Sequence, residues 1–335
     1  MTGLSDTTRA LFAPGKGILA ADESNESADG KRLAPYGIET GPEMRRKFRD
    51  LLLAAPGIED YLTGVILYKE TLDQKADDGT PFPQLLASRG IVPGIKVDEG
   101  LEPLEGSPDE SLTKGLLGLP ERLAEYRDQH GAGFTKWRAA IRIEGDRLPS
   151  ARCLVENAKR LATYACEAQK AGMVPILEPE VLLDGSHSRV RSRAVLEAAL
   201  KALFETLDEQ CADLSGIILK TSMALSGKDT GRIDTPDEVA EDTLGALMAR
   251  VPRTVGGIVF LSGGQTPDQA IENLRAIMKH ARDARAPWPL TYSFARAFQE
   301  EALAIWKGDD ANVEAARAAY VARLAGASRA LAGAE

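Results

Sequence analysis

The chain has 335 residues, 44% of them hydrophobic and 27% charged, with a formal net charge of −9. Those proportions are ordinary for a globular enzyme, and one large α/β core accommodates the length without a second domain. The acidic balance, with no long basic block, argues against a nucleic-acid or membrane-surface binder. No 18-residue apolar window or apolar leader occurs, so a cytoplasmic location is expected.

Short apolar runs bounded by turn residues alternate with amphipathic stretches, the pattern of parallel βα units. A strand is predicted over Gly17–Asp22, a helix over Pro42–Ala54, and strands over Thr63–Tyr68 and Pro93–Val97. A helix over Pro120–Gln129, a strand over Phe134–Arg138, a helix over Ser150–Ala171 and a strand over Val174–Glu178 follow. Next come a helix over Arg189–Gln210, a strand over Gly216–Lys220, a helix over Thr235–Arg250 and a strand over Gly257–Leu261. A helix over Pro267–Arg282, a strand over Leu290–Ser293, and helices near Arg296–Lys307 and Ala311–Ala330 finish the chain. Thr235-Pro-Asp-Glu and Thr266-Pro-Asp-Gln each place Thr at the N-cap and Pro at the first helical position. Thr71–Gln84 and Asp98–Gly118, rich in Gly, Pro and Asp, are expected to be weakly structured, and the Ala-rich tail from about residue 325 to fray. Eight strands with helices between them predict a single (β/α)8 TIM barrel with additional C-terminal helices, one domain over residues 1–335.

Cys153, Cys166 and Cys211 lack CxxC spacing and read as buried small hydrophobes in a reducing compartment. His130, His187 and His280 have no ligand partner at helical or hairpin spacing, so each reads as a surface or helix-end residue and no metal site is expected.

In a barrel of this kind catalytic groups collect at the C-terminal ends of the strands. The first predicted strand ends in Asp22, the third holds Lys96, and the fourth carries Lys136 and Arg138. The fifth ends in Glu178-Pro-Glu180, the sixth in Lys220, the seventh in Ser262-Gly263-Gly264 and the eighth in Ser293-Phe-Ala-Arg296. Singly, each reads most simply as a structural ion pair or a turn. Converging on one mouth they form a cluster that costs stability when desolvated and is retained for what it binds or transforms. Lys220 closes the apolar run Ser215-Gly-Ile-Ile-Leu. Alone it is a lysine snorkelling at a strand end. With its stem among apolar groups, desolvation is expected to lower its pKa from the usual ~10.4 and free a nucleophilic amine. Glu178 beside Lys136 and Lys220 is placed for proton transfer. Ser262, Gly263 and Gly264 lead into a helix N-terminus, a phosphate cradle that Arg296 can close. Ser27 with Lys31 and Arg32 offers a second anion site near the opposite rim. Two phosphate sites flanking a nucleophilic lysine point to a short carbonyl compound with a phosphate at each end.

The segments GKGILAADES (15–24), ETLDQKADDGTPFPQ (70–84) and GIKVDEG (94–100) carry a family resemblance. Lys136-Trp-Arg138, PILEPE (175–180), Ile218-Leu-Lys220, LSGGQ (261–265) and YSFAR (292–296) continue it in order. Over about Gly15 to Ala325 the chain resembles the class I, Schiff-base fructose-bisphosphate aldolases. The resemblance implies a metal-independent lyase that reversibly cleaves fructose 1,6-bisphosphate into dihydroxyacetone phosphate and glyceraldehyde 3-phosphate, with no cofactor beyond the imine on Lys220. It implies Glu178 as general acid/base, Asp22 orienting the C4 hydroxyl, Lys136 supporting the charge changes and Glu180 tuning the lysines. Ser262, Gly263, Gly264 and Arg296, with Ser293, would hold the C1 phosphate. Ser27, Lys31, Arg32, Lys96 and Arg138 would serve the C6 phosphate and its approach. A homo-oligomer, often a tetramer in the family, is implied as well.

Some residues depart from the family pattern. Thr221-Ser222 stand where many members have Pro-Asn, Ala295 where many have Gly, and one extra residue separates Ser27 from Lys31. The animal enzymes end in a tail whose final Tyr assists enamine protonation, whereas this sequence ends Ala-rich; Glu178 or an ordered water is the expected proton donor. A transaldolase-like transferase and a non-catalytic scaffold are the rival readings. Transfer of a three-carbon unit marks the first, and tight sugar-phosphate binding without turnover the second.

Overall fold

The computed structural model describes residues 3–210 and 212–332; Cys211 and the last three residues lie outside it. Eight parallel strands close a barrel: β1 (Gly17–Ala21), β2 (Leu62–Leu67), β3 (Val92–Lys96), β6 (Phe134–Ile141), β7 (Val174–Val181), β8 (Ile218–Thr221), β9 (Gly257–Phe260) and β10 (Leu290–Phe294). Neighbours in the barrel are neighbours in the chain, and β1 closes the ring by pairing with both β2 and β10. All eight predicted strands are therefore barrel strands. The remaining two, β4 (Leu101–Leu104) and β5 (Ser107–Thr113), form an antiparallel hairpin outside the barrel.

Strand alternation sorts the apolar side chains into two sets. Ile18, Ala20, Ile66, Phe134, Val174, Ile176, Ile218 and Val259 fill the barrel interior. Leu19, Val65, Trp137, Leu177, Leu219 and Phe260 face outward and join the larger core beneath the helices. Helix ends follow local chemistry: Thr235 and Thr266 cap their helices reciprocally with Glu238 and Gln269, and Ser150 and Ser188 accept from the amides of Cys153 and Arg191.

An N-terminal helix, Leu4–Leu11, was not legible in the sequence. It plugs the N-terminal mouth of the barrel, where Leu4, Leu11 and Phe12 join the interior cluster. Glycines on the strands make room for that packing. A β-carbon at Gly257 would stand 2.2 Å from Cζ of Phe12, and one at Gly94 2.3 Å from the ring of Phe134.

Two stretches expected to be weakly structured are ordered. The first contains the end of the helix Lys69–Asp73 and the start of the helix Phe82–Ser88, and the second contains the β4–β5 hairpin. The hairpin escapes a pattern reading because only one side is covered. Leu104 and Leu112 pack on Cys153, and buried Glu110 accepts from Ser107 and Ser150. The tail expected to fray is helical from Val313 through Ala332, with Tyr320, Leu324, Ala327 and Ala330 fully buried. Arg317 pairs with buried Asp50 at 2.8 Å and pins that helix to the helix Pro42–Leu53.

Cys153 is buried, as expected of a small hydrophobe. His187, by contrast, is buried beside Gly227 instead of exposed, and burial pushes its imidazole pKa down. Among the described residues no helix is long and apolar enough to cross a membrane.

Candidate active site

The same alternation that lines the barrel with apolar groups brings charge to its C-terminal end. On β6 the residues two and four beyond Phe134 are Lys136 and Arg138; on β7, Glu178 and Glu180 follow Ile176; on β8, Lys220 follows Ile218. Asp22 stands immediately after β1. Their side chains meet in a cavity of about 260 Å³ at the barrel mouth.

Four of them form a buried chain of alternating sign. Lys136 Nζ lies 2.6 Å from Asp22 Oδ2 and 3.0 Å from Glu178 Oε2, and Lys220 Nζ lies 3.0 Å from Glu178 Oε1. The two lysine side chains and Glu178 are only 4–5% exposed. Glu178 Oε2 has the Lys136 ammonium in ion-pair range but no aligned hydrogen-bond donor among the described residues.

Burial and neighbouring charge oppose one another here. Burial works to raise the Asp22 carboxyl, but Lys136 and then Lys220 outweigh it and hold Asp22 at about 2. Glu178 is likewise lowered, burial being overcome by Lys136, Lys220 and Arg138. Burial would lower Lys136, yet Asp22 and Glu178 raise it well above the ordinary lysine value. These shifts keep Lys136 and its two partners, Asp22 and Glu178, ionised.

Arg138 and Glu180 form a second pair on the wall. Glu180 contacts this arginine, so it holds Arg138 in place where direct tuning of the lysines was expected. Across the cavity, Ser262, Gly263 and Gly264 lead into the helix Pro267–Asp283. Gly263 and Gly264 have φ of 48° and 92°, a left-handed pair that glycine adopts readily, and both line the cavity. Arg296 opens the helix Arg296–Trp306 beside this turn, with Nη2 3.6 Å from where a Gly264 β-carbon would be. Ser293 Oγ is buried on the same wall without a partner among the described residues. An orphaned hydroxyl, two cradle glycines and an arginine suit a phosphate.

Arg32 also lines the cavity. Ser27, Lys31 and Lys96 do not line it. The Ser27 amide donates to Ser24 Oγ, Lys31 is exposed, and Lys96 Nζ is paired with Asp98 at 2.8 Å. Thr221 and Ser222 are turned into the scaffold, Ser222 donating to the Val181 carbonyl, so these departures do not reshape the cavity wall. Ala295 does line it.

Residue-by-residue reading missed Glu23 and Asp98. Glu23 binds Arg32 and Arg49, and Asp98 holds Lys96 while accepting from the Arg138 amide. Both carboxylates sit inside the segments that carry the family resemblance. Their adjacency to Asp22 and to Lys96 was the available signal.

The profile of the glycolytic fructose-bisphosphate aldolase class-I family matches residues 3–334. A probable fructose-bisphosphate aldolase class 1 of Xanthomonas campestris is 47% identical over 306 residues, covering 91% of this chain and 90% of that protein. The cytosolic fructose-bisphosphate aldolase 5 of Arabidopsis thaliana is 45% identical, covering 98% and 90%. Among solved structures, the Plasmodium falciparum fructose-bisphosphate aldolase, bound to TRAP and a small-molecule inhibitor, superposes with a TM-score of 0.94 at 39% identity. That match covers 98% of this chain and 94% of that one.

Proposed function

The chain belongs to the class-I fructose-bisphosphate aldolase family, and from that premise we propose how its own residues perform the reaction. The activity is that of a metal-independent lyase, the reversible cleavage of fructose 1,6-bisphosphate into dihydroxyacetone phosphate and glyceraldehyde 3-phosphate.

Lys220 is the amine that forms the imine. Transfer of its proton to Glu178, across the 3.0 Å of their ion pair, frees Nζ to add to C2 of the ketose. The nitrogen of the adduct passes one proton to the former carbonyl oxygen, Glu178 returns the other, and that oxygen leaves as water. The resulting iminium carries the positive charge that the ammonium held, so the alternating chain with Lys136 and Asp22 stays balanced. Electrons of the C3–C4 bond then flow into the iminium as the C4 hydroxyl gives its proton to Glu178, whose side chain lines the cavity. Asp22, ionised and adjoining Lys136, orients that hydroxyl. Glyceraldehyde 3-phosphate departs, Glu178 delivers the proton to C3 of the enamine, and hydrolysis releases the second product.

Ser262, Gly263, Gly264, Ser293 and Arg296 hold the C1 phosphate, a role supported by the cradle geometry beside Arg296. Arg32 and Arg138 take the phosphate at the other end, and Lys96, tied to Asp98, acts as an anion guide. A cytoplasmic homo-oligomer completes the proposal. The cytosolic plant relative supports the location, and exposed Val155, Val190 and Met248 on helix surfaces support association.

The observation that carries this reading is a buried lysine amine 3.0 Å from Glu178 in the cavity that Arg296 closes. Borohydride reduction in the presence of dihydroxyacetone phosphate, followed by peptide mapping, tests it. A substrate adduct on Lys220 is expected; an adduct on another lysine, or none, overturns the assignment.

A further inference from the structure

Arg32 is held more tightly than a flexible surface arginine. It sits on a π-helical turn, Asp29–Leu33, a geometry that recurs at functional sites. That turn is fixed from below: Arg45 pairs with Asp29 at 2.6 Å and with Glu70, and Asp29 also accepts from the Gly41 amide. The guanidinium itself is then gripped along one edge. Its Nε donates to Glu23 Oε1 and to Gln299 Oε1, each at 3.0 Å. Nη1 reaches the Lys31 carbonyl at 3.5 Å, Nη2 donates to none of the described residues, and the side chain lines the cavity.

Both acceptors are anchored to rigid parts of the fold. Glu23 Oε2 receives Arg49 Nη1 at 2.7 Å, and Arg49 Nη2 also donates to the Glu23 carbonyl. Gln299, fully buried, donates to the Ala20 carbonyl on β1. The charges add in a particular way. A lone Glu23 would cancel Arg32 and leave a phosphate nothing to bind. Shared between Arg32 and Arg49, one carboxylate leaves a net charge of about +1 on the group.

We propose that Glu23 and Gln299 are positioning residues that hold Arg32 at Nε and leave Nη2 for a phosphate of the substrate. This rests on the reading of Arg32 as a phosphate ligand. A guanidinium fixed along one edge meets a phosphate without losing side-chain freedom at the moment of binding, whereas an untethered one must be ordered first. Glu23 and Gln299 touch no substrate and act through Arg32.

Steady-state kinetics with fructose 1,6-bisphosphate and fructose 1-phosphate, on Arg32→Ala, Glu23→Gln, Glu23→Ala and Gln299→Leu enzymes, provide the test. Arg32→Ala sets the reference pattern, a KM rise of about tenfold or more on whichever substrates present the phosphate it binds. Glu23→Ala and Gln299→Leu are expected to repeat that substrate pattern at about three- to tenfold, with the larger loss in KM, and Glu23→Gln, which keeps an acceptor, to be milder. Gln299→Leu leaves the Glu23–Arg49 pair in place and carries the test if the Glu23 variants fail to fold. If KM rises for Arg32→Ala alone, or kcat falls equally on both substrates at constant KM, the positioning role is overturned while Arg32 remains a ligand. If Arg32→Ala leaves KM unchanged, the phosphate role of Arg32 and the positioning role fall together.

Discussion

Along β6 the inward-facing side chains change from Phe134 to Lys136 and Arg138, and along β7 from Val174 and Ile176 to Glu178 and Glu180. The N-terminal end of the barrel is a dry plug, with Leu11, Phe12 and Phe134 packed against strand glycines. The C-terminal end is a chain of buried charge. The two ends share strands and twist but answer to different demands. Apolar packing at one end stabilises the ring, while the paired charges at the other are sensitive to the loss of a partner. Catalysis can therefore be placed on the fold without the fold depending on it.

The largest effect that sharpens this contrast is expected from Glu178→Gln. The variant loses the proton carrier between Lys220 and the substrate, so kcat falls by about 10²–10⁴-fold. The barrel should remain folded by circular dichroism, because its apolar end is untouched. An enzyme that unfolds and keeps its specific activity per folded molecule would break the comparison.

The converse is expected at the other end. Gly94→Ala drives a β-carbon into the ring of Phe134 and should cost about 1–3 kcal/mol in denaturant unfolding while leaving kcat/KM near that of the parent. A catalytic loss at unchanged stability would show that the two ends are coupled.

Acid titration gives the smallest signal. Asp22 is lowered from 3.8 to about 2, so its pairing contributes stability that is fully present above pH ~4 and is lost as pH falls through about 2. The contribution is on the order of 2 kcal/mol, and Asp22→Asn should flatten the unfolding free energy over that window. An unchanged acid limb would mean that Asp22 is not held by Lys136 as the geometry has it.

Much of the site was legible because parallel barrel strands write themselves as short apolar runs, and each functional residue follows its run directly. Lys220 after Ile-Ile-Leu and Glu178 after Pro-Ile-Leu are marked by that change of chemistry. Lys31 and Arg32 show where the reading stops. They are neighbours in the chain and alike in charge, but one helical step turns Lys31 to solvent and Arg32 to the cavity. Lys96 ends its strand as the pattern requires, yet Asp98, two residues on, takes its ammonium. The helix Leu4–Leu11 escaped notice because eight residues carry too few apolar positions to establish a period, and its worth lies in a barrel mouth assembled from distant strands.

Periodicity was enough to determine the barrel, and the residue types at strand ends marked the candidate lysine, its carboxylate partners and the glycine turn, since each follows local alternation along one strand. Which cations reach the cavity, which are neutralised on the way, and how Glu23 and Gln299 grip Arg32 were decided only by tertiary structure. Ion pairing is set by distances between segments far apart in the chain, and those distances exist only once the ring has closed.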